Sequence, residues 1–218
     1  MTRSLEAAFV ALRSENVAPV EETLAPVYDA LVAGVDDPYD DQAWIVDAEL
    51  EAEAASILEV GCGVGGLLAR LAADRDRVVG VDERGDALWF ARQRTDAPVV
   101  RGDPATLPFD GEFGACVSLG CRTGRLEDRW DGAHDRYRLR RSVAAGEVSG
   151  DRARVAVEYS LSDDRTGDSV EASETLSIRL FEADDLASSL ASLGFVDVEV
   201  TRNPGVDDAV LATASKPR

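Results

Sequence analysis

Apolar residues recur along this chain with two different periods, and the change falls near residue 56. Before it, residues 4–16 and 20–34 carry apolar side chains at helical spacing, with Leu24, Val27, Tyr28 and Leu31 in the second stretch. Residues 40–53 form a third amphipathic stretch bearing Trp44, Ile45 and Leu50. After it, short apolar runs alternate with helical ones. Ile57-Leu58-Glu59-Val60 reads as a strand, residues 65–73 as a helix, Val78 to Val81 as a strand, and residues 85–95, with Leu88, Trp89 and Phe90, as a helix. Further strands follow at Val99-Val100 and at Ala115-Cys116-Val117. Such alternation predicts a parallel sheet with helices on both faces. Near the end, residues 183–193 read as a helix stopped by Gly194, residues 196–201 as a strand, and 204–208 as a turn into a last strand at 209–214.

Residues 121–180 follow neither period as cleanly. Residues 154–161 and 170–180 flank the turn-like Asp163-Asp164-Arg165-Thr166-Gly167-Asp168, which predicts an antiparallel hairpin. The first of these segments alternates apolar and polar residues, as a half-exposed strand does, where a buried parallel strand would be apolar throughout. The stretch from Ala144 to Gly150 is the nearest thing to a loop leading into a fifth parallel strand.

Composition narrows the class. At 218 residues and 45% hydrophobic content the chain can bury one sizeable α/β core. We expect a single domain over 1–218: a helical extension at 1–54, a cofactor-binding half at 55–120, a substrate-side segment at 121–180, and a closing helix and hairpin at 181–218. No run approaches the roughly 18 apolar residues of a membrane span. The N-terminus lacks an apolar secretory core and Cys62, Cys116 and Cys121 show no CxxC pairing, so the expected compartment is the cytoplasm. Cysteines at strand and loop positions are expected to be small packing groups. The formal net charge of −19 repels phosphates, which argues against nucleic acid and anionic membrane partners. Lys216 is the only lysine, and acids are spread along the whole chain. That balance suits a protein adapted to molar salt, where screening relieves repulsion among surface carboxylates.

The candidate chemistry lies at the strand ends. Glu59-Val60-Gly61-Cys62-Gly63-Val64-Gly65-Gly66 is a strand running into a glycine-rich loop and a helix, which lets a ligand approach backbone N–H groups. Gly61, Gly63 and Gly66 also satisfy G-x-G-x-x-G, so the glycines alone leave a dinucleotide enzyme open. An acid at Glu59 would repel a pyrophosphate and suits a cationic ligand better. The second strand ends in Asp82, with Glu83 beside it, and the third leads to Asp103, before Pro104 and Ala105. Asp82 has the chemistry to accept two ribose hydroxyls. Three acids at the carboxyl edge of one sheet favour a ligand with a positive charge, a ribose and an amino-bearing base.

These motifs, from Glu59 to Gly65, Val79 to Asp82, Arg101 to Asp103 and Phe113 to Leu119, resemble in order those of class I S-adenosylmethionine-dependent methyltransferases. Ala25-Pro26-Val27-Tyr28-Asp29 is similar to the start of small-molecule members such as the amino-sugar N-methyltransferases. The resemblance implies a Rossmann-like class I methyltransferase sheet, α/β, with a C-terminal antiparallel hairpin and a β-insertion. It implies S-adenosylmethionine as cofactor and a small-molecule acceptor. The glycine loop, including Glu59, Gly61, Cys62, Gly63 and Gly65, would hold the methionine part, with Tyr28 over it; Asp82 would take the ribose hydroxyls, Asp103 the adenine amino group and Ala105 the ring by its backbone; Leu119 would meet the cofactor from the end of the fourth strand, and Glu83 and Pro104 belong to the same cofactor-binding set. No catalytic base and no metal ligand is legible. Trp130, His134, Tyr137, Glu158 and Tyr159 in the insertion are the ionisable and aromatic candidates for the acceptor side. Two other readings compete: a non-catalytic adenosylmethionine-binding or interaction protein with a decayed acceptor site, and a nicotinamide-dependent oxidoreductase.

Overall fold

The computed structural model describes residues 4–13, 38–50, 56–103, 106–107, 109, 113–119, 128–150, 152–179, 183–202 and 210–216. The helix expected at 20–34 with Tyr28, and Pro104, Ala105, Cys121 and the turn at 204–208, lie outside them. The described chain runs α1 (Leu5–Arg13), α2 (Pro38–Glu49), β1 (Ser56–Val60), α3 (Gly66–Ala73), β2 (Arg77–Asp82), α4 (Gly85–Arg94), β3 (Val99–Arg101) and β4 (Ala115–Val117). It continues through β5 (Asp128–His134), β6 (Tyr137–Ser149), β7 (Arg152–Asp163), β8 (Ser169–Arg179), α5 (Ala183–Ser192), β9 (Val196–Arg202) and β10 (Val210–Ser215).

Strands β3-β2-β1-β4 form one sheet in that order, and each pairing is parallel. Side-chain alternation splits its packing between two faces. Ile57, Val78 and Val117 join Leu67, Leu68 and Leu71 of α3 and Val46 of α2 on one face. Leu58, Val79 and Val81 gather Val100, Leu107, Phe109 and Phe113 on the other. Because both faces are covered, β2 is buried from Val78 through Asp82, as a parallel strand requires. Ile57, Leu68 and Leu71 are fully buried, each contributing about 1.5–3 kcal/mol by leaving water.

Helix α2 begins two residues earlier than expected, with Pro38 at its first position, where a missing N–H costs nothing. Its packed face also differs from expectation: Tyr39, Ala43, Val46 and Leu50 meet the core, while Trp44 is 68% exposed. The three-and-four spacing of the former set defines the stripe that faces α3; Trp44 falls outside it.

Strands β5-β6-β7-β8 form a second sheet in sequence order. Connections of two, two and five residues are too short for crossovers, so it is an antiparallel meander. The hairpin expected around residues 163–168 is its β7–β8 corner; β5–β6 is an additional hairpin. His134 therefore ends a strand and is exposed, and Asp135 turns the corner at φ 53°. Residues 144–149 continue β6, because the chain turns only at Gly150. Alternate residues of β7, Ala153, Val155, Val157, Tyr159 and Leu161, are buried while those between them face outward. Helix α1 packs Phe9 on Tyr137 with ring centres 5.9 Å apart. Its charged ends reach the meander's corners through Arg13–Asp168 at 2.7 Å and Glu6–Arg136 at 3.2 Å.

Helix α5 ends as expected at Gly194, whose φ of 87° lets the N–H groups of Gly194 and Phe195 donate to Ala191 and Leu190. Strands β9 and β10 pair antiparallel as a separate two-stranded sheet. By contacts the chain forms two compact units. One comprises Met1–Leu119, Asp131–Arg140 and Tyr159–Ala172; the other comprises Gly120–Trp130, Arg141–Glu158 and Ser173–Arg218.

Candidate active site

The register of β1 against β2 pairs Glu59 with Gly80 and Val60 with Val81, so Glu59 and Asp82 reach the carboxyl edge of the sheet together. The glycine loop then folds over that edge. Gly61 and Cys62 both donate to the Val81 carbonyl, at 2.8 and 3.0 Å, and Gly65 donates to the Cys62 carbonyl. Gly61, Gly63 and Gly65 hold φ of 80°, 53° and 80°, a left-handed path that a side chain would strain. At Gly65 a Cβ would also lie 2.8 Å from the backbone of Ala91, so the glycine is what lets α4 close on the loop.

Asp82 is 9% exposed and its carboxylate is already at work within the protein. One oxygen accepts from the Gly63 N–H and the other from the Arg84 N–H, both at 2.8 Å. It thus ties the loop to the end of β2. A carboxylate offers about four acceptor positions, so two stay open for hydroxyl donors. Helix α4 is capped at Arg84 without a side-chain bond, so Asp82 is not its N-cap.

Glu59 is 5% exposed, and its Oε2 finds no hydrogen-bond partner among the described residues. Burial first, and then the neighbouring Asp82 charge, push its carboxyl up to about 8. A buried acid without a partner is costly, and costs least when a cation arrives to pair with it. Cys62, buried beside them, fills the space that the missing side chain of Gly80 leaves, its Sγ only 2.8 Å from where a Cβ would stand. Its thiol is pushed up to about 12, by burial and then by the Glu59 and Asp82 charges.

The other expected residues sit around this edge. Glu83 is exposed, and its carbonyl accepts from Arg101 Nε at 3.0 Å. Asp103 is exposed two residues past β3 and forms a turn in which Thr106 donates to its carbonyl. Leu119 is half-buried against the core beyond β4. Cys116, expected to be packed, is exposed on β4, the terminal strand of the described sheet. Tyr137 and Tyr159 are buried, whereas His134 and Glu158 stand outward.

One residue was not foreseen. The Tyr39 ring lies flush on Gly66, where a Cβ would come within 1.7 Å of Cε2, so Tyr39 covers the first turn of α3 next to the loop. The only sequence signal was an aromatic residue opening the third helical stretch. A groove of about 690 Å³ lined by Arg75, Arg77, Ala97 and Pro98 lies at the amino ends of β2 and β3, the edge opposite the acids, so it is not the site at which an open sheet binds its ligand.

Residues 57–139 match a family model described as a methyltransferase domain. "Putative methyltransferase YqeM" of Bacillus subtilis (strain 168) is 33% identical over 103 residues, 45% of this chain and 40% of that protein. The chain thus aligns with less than half the length of this relative. Among solved structures, Streptomyces venezuelae DesVI has a TM-score of 0.75 at 19% identity, over 88% of this chain and 98% of that one. CalS10, an amino pentose methyltransferase from Micromonospora echinaspora solved with S-adenosylmethionine bound, gives 0.69 at 17% identity over 94% and 100%. KedS8, a sugar N-methyltransferase from Streptoalloteichus, gives 0.60 at 19% identity over 82% and 87%. The chain shares the Rossmann-like class I fold of these methyltransferases, and its residues 57–139 match the methyltransferase-domain model.

Proposed function

We propose that the chain transfers the methyl group of S-adenosylmethionine to a small-molecule acceptor, with amino sugars the first class to examine. The observation that carries the reading is Glu59, a buried acid with an unpartnered oxygen at the mouth of the glycine loop, which gains a charged partner from a cationic ligand and none from a pyrophosphate. Glu59 receives the cofactor's ammonium, the open acceptor positions of Asp82 take the ribose hydroxyls, and Asp103 takes the adenine amino group. Gly61, Gly63 and Gly65 keep the loop backbone accessible, with Cys62 packed beneath it. Glu83, Leu119, Pro104, Ala105 and Tyr28 complete the cofactor surface in this reading.

When bound, the cofactor supplies an electrophilic sulfonium-linked methyl group. What the chain must add is orientation and exclusion of water, since a held nucleophile in line with the methyl gains most of its rate from positioning. The acceptor class is supported by CalS10, an amino pentose methyltransferase, and KedS8, a sugar N-methyltransferase, whose fold this chain shares. The net charge of −19 supports a partner that is neither nucleic acid nor membrane, and the lone lysine supports a salt-adapted cytoplasmic protein. Among the described residues, no helix is long and apolar enough to cross a membrane.

Titration with S-adenosylmethionine, S-adenosylhomocysteine and NAD in molar potassium chloride tests the cofactor assignment; binding of NAD alone overturns it. Mass spectrometry of an amino-sugar panel after incubation with S-adenosylmethionine then tests the acceptor class. Methylation confined to a protein or nucleic acid substrate would reject it.

A further inference from the structure

The two acids at the loop differ in one respect that the cofactor assignment leaves unexplained. Asp82 has both oxygens engaged by backbone N–H groups, from Gly63 and Arg84, whereas Glu59, on the neighbouring strand and slightly more buried, has an oxygen with nothing to bond. A carboxylate in that position would be doubly penalised, by lost hydration and by Asp82; a neutral carboxyl is not. Few groups are placed to offset this. The strand partners of Glu59 are Gly80 on β2 and Val117 on β4, neither of which titrates. In the loop the neighbour is Cys62, held as a neutral thiol, and the cation of α4 that acts there is Arg92, whose influence falls on Cys62.

We propose that the buried, unpartnered Glu59 takes up the ligand's α-ammonium only by giving up its own proton, one proton leaving the protein for each ligand bound. The inference rests on the cofactor reading above. In the exchange the Glu59 carboxyl O–H bond breaks, the proton passes to the buffer, and the carboxylate left behind accepts an ammonium N–H; nothing is oxidised or reduced. Burial, and then the Asp82 charge, raise the carboxyl to about 8, so below that pH the free protein favours the protonated form. The ligand's α-ammonium, with a pKa of about 8, is still charged below that pH. Affinity therefore rises with pH across this window, by about tenfold for each unit.

Calorimetry at pH 6.5 in buffers of different ionisation enthalpy reads the proton directly. The probes are S-adenosylmethionine, S-adenosylhomocysteine and 5′-methylthioadenosine, which lacks the amino acid part. The expected result is release of close to one proton with the first two and none with the third, and about tenfold weaker binding of the first two at pH 6 than at pH 7. Release with S-adenosylmethionine but not S-adenosylhomocysteine would assign the exchange to the sulfonium and overturn the proposal. Heats that are independent of buffer, with flat affinity, would overturn it as well while leaving the cofactor reading intact. No binding by any of the three would remove the cofactor reading itself. In Glu59→Gln, checked for folding by circular dichroism, S-adenosylmethionine binding is expected to release no proton and to lose its pH dependence; a purely structural Glu59 would leave the stoichiometry the same in both proteins.

Discussion

Glu59 and Asp163 are buried to nearly the same depth, 5% and 4% exposed, and the protein treats them in opposite ways. Asp163, at the corner where β7 turns into β8, accepts from the Arg165 N–H at 2.9 Å and lies 3.1 Å from Arg136 Nε. Arg136 in turn donates to the Tyr137 hydroxyl at 2.7 Å and reaches Glu6 of α1. Every part of that acid's environment is supplied by the chain. Glu59 has no such supply at Oε2. The contrast separates an acid whose hydrogen bonds are met by the fold from one whose carboxylate form has an oxygen that the fold leaves unmet.

The largest expected effect sharpens this contrast through pH. Glu59 holds its proton more tightly folded than unfolded, so its contribution to stability is complete below the ordinary carboxyl range and is lost as pH rises from about 4.5 to about 8. Over that window ligand-free protein should lose up to about 5 kcal/mol relative to Glu59→Gln. Urea unfolding of both proteins at pH 5, 6.5 and 8 checks it, and parallel profiles would mean that Glu59 is paired after all.

Next in size are two losses of about 1–3 kcal/mol in different quantities. Asp163→Ala strips the β7–β8 corner of its acceptor and should lower unfolding stability by that amount while leaving affinity for S-adenosylmethionine unchanged. Asp82→Ala releases the Gly63 and Arg84 N–H groups and removes the acceptor proposed for the ribose, so affinity for S-adenosylmethionine should fall by a similar free energy. Calorimetry on a variant shown to be folded decides the second. If Asp163→Ala were the one to weaken binding, the division between fold acid and site acid would be wrong.

Gly66→Ala probes how closely the N-terminal helices are fitted to the loop. Its Cβ would overlap the Tyr39 ring, and overpacking of this kind costs about 1–3 kcal/mol. Pairing it with Tyr39→Ala should recover part of that loss in a double-mutant cycle. The smallest effect belongs to Arg13–Asp168, whose side chains are 55% and 44% exposed; Arg13→Ala should cost under about 1 kcal/mol and less at high salt.

Where local sequence and tertiary structure demanded the same thing, the sequence was readable. The run from Ile57 to Val60, the glycines after it, and Asp82 at the end of β2 each announce a parallel α/β edge, because strand length, turn chemistry and strand-end acids are all local. Gly194 announced the end of α5 for the same reason. The failures were matters of partnership. Trp44 and Val46 both satisfy helical spacing, and only the position of α3 decides that Val46 goes inward. His134 and Asp135 form a tight β5–β6 corner whose register depends on strands that the local pattern did not reveal. Tyr39 became part of the site through a contact 27 positions away along the chain. The Asp82 bonds to the loop were likewise invisible, since a ribose acceptor and a loop anchor require the same side chain.

The packing of Cys62 against Gly80 has a chemical consequence. A thiol must ionise before it can attack an alkylating agent or be carried up the oxidation ladder, and this one is held protonated far above neutrality beneath the loop's own backbone. Cys62 should therefore react slowly with peroxide and iodoacetamide in the folded protein, which mass spectrometry of the treated chain checks.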